Sequence, residues 1–132
     1  MNYLQGLPAF AAYFGMGLGF VALFLLVFLH STPHRELQLI RSGNIAASLA
    51  LAGALVGFCL PLSAAISASV SHLDLGLWGG VALLAQVAAH GFVRLLLPGF
   101  PARIERGETS AAITSGAVHL GVGLLNAAAM GS

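Results

Sequence analysis

Three polar side chains recur at intervals of four in the stretch Leu75 to Leu97, which is otherwise mostly apolar: Gln86, His90 and Arg94. On a helix that spacing sets them in one stripe. His119 stands alone in a second apolar stretch, with Asn126 seven residues on and so on much the same face. Imidazole and amide groups can pass protons, bind a polar solute, or hydrogen-bond one helix to another. Metal chemistry is a poor match: His90 and His119 have no third acid or thiol ligand at comparable depth, because Asp74 and Glu108 fall at the ends of their apolar runs. No metal and no cofactor are expected. The single cysteine, Cys59, can form no disulfide within the chain. Ser63, Ser67 and Ser69 lack a histidine and a carboxylate in triad order, carboxylates are not paired, and no glycine-rich phosphate loop precedes a helix, so the chain is not read as an enzyme. Five scattered basic residues exclude nucleic acid as a partner.

The elements that carry these residues are set by composition. Of 132 residues 58% are hydrophobic and only 7% charged, too apolar to build a water-facing surface. Four runs, Pro8 to Leu29, Ile45 to Val70, Leu75 to Leu97 and Ala111 to Met130, are each long enough to cross a hydrocarbon core of about 30 Å as a helix. Their apolar residues lie on all faces, unlike those of a soluble bundle, and strict alternation, the signature of a membrane β-barrel, is missing. The first run lacks a preceding basic segment and reads as a retained helix rather than a secretion signal. The fold class is therefore all-α, a polytopic membrane protein of four transmembrane helices forming one membrane domain over residues 1–132, with membrane lipids as its surroundings.

Arg35 and Arg41 lie in the first connection, Arg103 and Arg106 in the third, and the second has no Lys or Arg. The first and third connections share a side, which the basic residues assign to the cytoplasm, so both termini are periplasmic. The segment His34 to Arg41 suits a short surface helix opened by Pro33 and closed by Gly43, with Leu37 and Ile40 toward the headgroups and Glu36 and Arg41 toward water. His34, Arg35, Glu36 and Arg41 are the candidate docking surface for a cytoplasmic partner.

A shift of 64 positions lays Ile40, Gly43, Ala47 and Gly57 on Ile104, Gly107, Ala111 and Gly121. The chain is thus read as two tandem two-helix repeats, residues 8–70 and 72–131, parallel and related about an axis along the membrane normal. Asn44 and Glu108 stand where each following helix starts and can supply an acceptor or a favourable charge there. Gly53 and Gly57 form a small-xxx-small pair that lets another helix approach closely, within the chain or in a homo-oligomer. Pro61 removes a backbone donor and so releases a carbonyl of its own helix, which Ser63 or Ser67 could help satisfy.

The stretch Thr32-Pro33-His34-Arg35-Glu36-Leu37-Gln38-Leu39-Ile40, then Gly43 to Ala50, Gly53 to Phe58 and Pro61-Leu62-Ser63, resembles the YjfL family of small bacterial inner membrane proteins, a group of unknown function. Trp78-Gly79-Gly80, Val93-Arg94-Leu95, Thr109 to Gly116 and Asn126-Ala127-Ala128 extend the likeness over nearly the whole chain. The resemblance implies a bacterial plasma membrane protein with a duplicated two-helix unit. Through relatives encoded beside genes for membrane-stress proteins of the phage-shock type, it also implies a role in envelope maintenance and a cytoplasmic membrane-stress partner.

Two functions remain open on the residues. One is a structural or partner-binding membrane protein, favoured by the lack of acidic groups in the apolar runs. The other is a small oligomeric ion channel or transporter, with Gln86, His90, His119 and Asn126 lining the path and Arg94 at its cytoplasmic mouth.

Overall fold

The computed structural model describes the backbone of residues 3–31 and 36–130 and the side chains of 6–30 and 36–130. Among the described residues six helices follow in order: α1 (Tyr3–Ser31), α2 (Glu36–Arg41), α3 (Ile45–Ala68), α4 (His72–Leu96), α5 (Phe100–Glu105) and α6 (Thr109–Met130). The four long ones are long and apolar enough to span a membrane. At about 1.5 Å per residue even α6, with 22 residues, exceeds the hydrocarbon thickness. They form two tandem hairpins, each folded as long helix, short helix, long helix.

The repeat is written in the backbone. The α2–α3 turn closes with Gly43 N–H donating to Ile40 C=O (3.0 Å) and Asn44 N–H to Leu39 C=O (2.8 Å). The α5–α6 turn repeats both bonds at the shifted positions, Gly107 to Ile104 (2.9 Å) and Glu108 to Arg103 (3.0 Å). Gly43 and Gly107 occupy the left-handed region, at φ 92° and 79°, where a side chain is strained, so each short helix ends in a glycine C-cap. Helix α5 is absent from the sequence reading, yet its bounds are those of α2 moved by the same 64 positions. Asn44 joins the halves. Its Oδ1 caps α3 by accepting from Ala47 N–H (3.0 Å), while its Nδ2 donates to the Ile104 carbonyl (3.0 Å) and the Glu105 carbonyl (3.3 Å) at the end of α5. Both short helices therefore sit at one end of the bundle.

Helices α3 and α6 form the central pair, with the most extensive contact in the molecule. Glycine makes it possible: a Cβ on Gly53 would overlap the Gly116 backbone, one on Gly57 the His119 carbonyl, and one on Gly123 the Gly57 carbonyl. Helix α4 packs against both members of the pair, whereas α1 is peripheral and leans on α3 and α4. Around Gly79 the approach is again close, a Cβ there overlapping the Phe20 ring. Two apolar cores result. At the end that holds α2 and α5, Val93, Phe100 and Ile104 pack among Ala46, Ala47, Ala50, Ala111 and Ala112. Beneath α1, Phe24 and Phe28 pack with Ala54, Phe58, Leu62 and Ala82.

The short helix departs from the reading in one respect. Glu36, read as facing water, is buried at 3% exposure. A carboxylate in the first turn of a helix faces unpaired amides and the positive end of the dipole, which favours this inward placement. Leu37 is exposed.

Candidate functional site

The polar centre begins with a missing hydrogen. Pro61 has no backbone N–H, so the carbonyl four residues before it, that of Gly57, lacks its normal partner within α3. Gln86 of α4 supplies one: its Nε2 donates to the Gly57 carbonyl (3.1 Å) and to the His119 carbonyl of α6 (3.3 Å). The donor is thus an amide from a neighbouring helix, not Ser63 or Ser67. Gly57, Gln86 and His119 lie near the middle of their helices, so one side chain joins three spans at mid-membrane.

That geometry fixes the rest. Both carbonyls can only accept, which orients the Gln86 amide with Oε1 on the other side, 2.6 Å from His119 Nδ1. Since Oε1 also only accepts, Nδ1 must carry the proton. Neutral His119 is then the Nδ1–H tautomer, with a bare lone pair on Nε2. Gln86 and His119 are fully buried, at 0% exposure, and His119 Nε2 has no hydrogen-bond partner.

His90, one turn beyond Gln86, is buried at 8% exposure with its ring centre 6.2 Å from that of His119. Phe28 of α1 meets both imidazoles edge to face, at 5.4 Å and 64° for His90 and 6.2 Å and 77° for His119, and Phe100 of α5 lies 6.4 Å from His90. A cavity of about 20 Å³ opens between α1 and α4, lined by Phe24, Val27, Phe28, Gln86, Val87 and His90.

The structure thus gathers Gln86, His90 and His119 and leaves the other members of the two stripes apart. Arg94 is exposed, in the last turn of α4, where a long cationic side chain can reach the interface. Asn126 is half-buried, with an Oδ1 that has no hydrogen-bond partner. Gly53 and Gly57 sit in the α3–α6 crossing. Of the candidate docking group, His34 and Arg35 lie outside the described residues, Glu36 is buried and Arg41 is exposed. Sequence reasoning missed three participants: the Gly57 carbonyl, Phe28, and Ser115, fully buried one turn before His119 and without a partner for its hydroxyl. The first was findable by counting four back from Pro61.

At the α5–α6 turn Glu108 pairs with Arg103 Nε and, at 3.5 Å, with Arg106. The hydrogen bond from Arg103 holds the Glu108 carboxyl below the usual carboxylate range, aided by the charges of both arginines. Among the described residues no three His, Cys, Asp or Glu side chains gather as a metal site.

Comparison with known proteins adds identity to this geometry. The family described as Domain of Unknown Function (DUF350) matches residues 1–130. The inner membrane protein YjfL of Escherichia coli strain K12 is 42% identical over 130 residues, covering 98% of each chain, and its counterpart in Escherichia coli O157:H7 matches equally. No solved structure matches the chain significantly. A duplicated helical hairpin, a match along nearly its full length and relatives that share its whole extent together show that this chain belongs to the YjfL family, the DUF350 family of inner membrane proteins.

Proposed function

We propose that this multi-pass inner membrane protein is a structural, partner-binding component of the bacterial envelope rather than a conduit. The observation that carries the reading is the Gln86 amide, both of whose N–H groups are given to helix carbonyls while its oxygen takes the His119 proton. A side chain so committed fixes three helices in register and has no donor to offer a passing solute. With His90 it borders a cavity of about 20 Å³, the scale of a single water rather than a path.

The working surface in this reading is the end of the bundle that carries α2 and α5. By the bias of Arg41, Arg103 and Arg106 that end faces the cytoplasm and both termini face the periplasm. Arg41, Glu105 and Arg106 are exposed there, and Asn44 holds the two turns as one platform. The partner would be a cytoplasmic protein acting in envelope maintenance, as the family resemblance suggests, and homo-oligomers of the chain would multiply the platform.

Photo-crosslinkers placed at exposed Ser42 and Glu105 in living cells test this, with exposed Leu84 on α4 as the control. Discrete protein adducts at the first two positions that disappear in Arg41→Ala or Arg106→Ala variants are expected. Adducts with lipid alone at all three positions would contradict a docking role.

A further inference from the structure

Helix α3 is the most enclosed of the four spans, yet one face of it is left uncovered. Ile45, Leu49, Ala52, Val56, Cys59 and Ser63 recur along that face at intervals of four and three, and all are exposed except Cys59, which is half-buried. A period of 3.5 residues is the seam on which two parallel helices pack. Toward the α4 end of the helix the seam turns polar. Cys59, Ser63 and Ser67 form one lip of a groove of about 260 Å³, and Phe14 and Leu18 of α1 stand on the other. The hydroxyls of Ser48, Ser69 and Thr114 each donate to a carbonyl three or four residues back, whereas those of Ser63 and Ser67 make no hydrogen bond.

These features select the occupant. An acyl chain neither donates nor accepts, so lipid on this face leaves both hydroxyls unpaired. A second copy of the chain does not. Copies of one chain insert in one orientation, so two of them are related by a twofold axis along the membrane normal, and each seam residue meets its own counterpart at its own depth. A hydroxyl both donates and accepts, which makes it self-complementary in that arrangement. We propose that the chain pairs with a second copy of itself through α3, with Ser63 and Ser67 hydrogen-bonded to their counterparts and Ala52, Val56 and Cys59 packed against theirs. The small side chains at 52, 59, 63 and 67 allow the two helices to approach closely, and the groove beside the serines receives side chains of the second copy. Because the seam runs along the flank of the bundle, this pairing does not depend on docking at the α2 and α5 end.

Disulfide trapping in native membranes tests this, and the parent chain carries its own reporter. Oxidation should join Cys59 to Cys59 of the second copy and give a reducible product of twice the chain mass. In a Cys59→Ala background Ser63→Cys should do the same. Leu77→Cys on α4 and Leu125→Cys on α6 should not, although both positions are exposed and stand, like Ser63, five residues from the end of their helices on that side of the membrane. Energy transfer between chains labelled at the amino terminus and diluted in liposomes measures the pairing itself. Ser63→Ala combined with Ser67→Ala should weaken it about five- to tenfold, the worth of about two interhelical hydrogen bonds. Products at residue 77 or 125 as abundant as at 63, a product of any other mass, no product at either seam position, or energy transfer unchanged by the double substitution would each overturn the proposal.

Discussion

Replacing Gln86 by leucine removes the amide and keeps most of the side-chain volume. Two groups lose their partners. The Gly57 carbonyl cannot recover a donor from its own helix, because residue 61 is proline, and the His119 Nδ1–H loses its acceptor. The His119 carbonyl is less affected, since Gly123 supplies an ordinary helical donor. Stranding a buried carbonyl costs about 1–3 kcal/mol and an interhelical hydrogen bond in a membrane is worth about 1 kcal/mol, so Gln86→Leu should destabilise the fold by about 2–4 kcal/mol. The informative step is the second substitution. Pro61→Ala restores an N–H four residues after Gly57, so in that background Gln86→Leu strands one group fewer. The double variant should be more stable than the sum of the single effects by about 1 kcal/mol. Equilibrium unfolding in bicelles, read by a four-variant cycle, measures this coupling. Additivity to within about 0.3–0.5 kcal/mol would refute the claim that Gln86 stands in for the missing proline N–H.

Other consequences are directly measurable. Gly57→Ala places a Cβ against the His119 backbone and should cost about 1–3 kcal/mol of stability, whereas Gly121→Ala, with nothing within 4 Å of the new atom, should be neutral or stabilise by up to about 1 kcal/mol in the same unfolding assay. Glu108 is held below its ordinary value of 4.5, so its contribution to stability is present above that pH and is lost as pH falls through the lower folded value. Thermal unfolding at pH 7 and pH 3.5 should show a smaller acid loss for Glu108→Gln than for the parent, with the difference shrinking in high salt. In a Cys59→Ala background, Glu105→Cys should react with an impermeant thiol reagent only after the inner face is exposed, and labelling of intact spheroplasts would reverse the proposed orientation.

How far the sequence could be read depended on whether the deciding contact was local. Hydropathy alone locates four spans because the bilayer imposes one requirement on each of them independently. The left-handed turns at Gly43 and Gly107 are local too, and they betray the duplication. The same shift of 64 carries α2 onto α5, but Phe100 and Pro101 stand where α2 has Glu36 and Leu37, so the second segment lacks the acidic start of the first and reads as a linker. The interval of four between Gln86 and His90 sets both on one face of α4, where both are buried, yet it includes Arg94 only in angle: near the helix end an arginine can reach the interface whatever face it occupies. Partners across helices were out of reach. Nothing near Pro61 says that the amide serving its freed carbonyl comes from residue 86, or that Asn44, a recognisable cap for α3, also holds the end of α5. The marginal position of α1 was equally hidden, for its hydropathy matches that of a central span.

The central claim is that Gln86, His90 and His119 hold helices together rather than line a path. Ion and proton flux through purified protein in liposomes, measured across pH and voltage, tests it most directly. The account predicts no flux above protein-free vesicles, either for the parent chain or for the His90→Gln and His119→Gln variants. A pH-dependent flux in the parent that disappears in those two variants would contradict it.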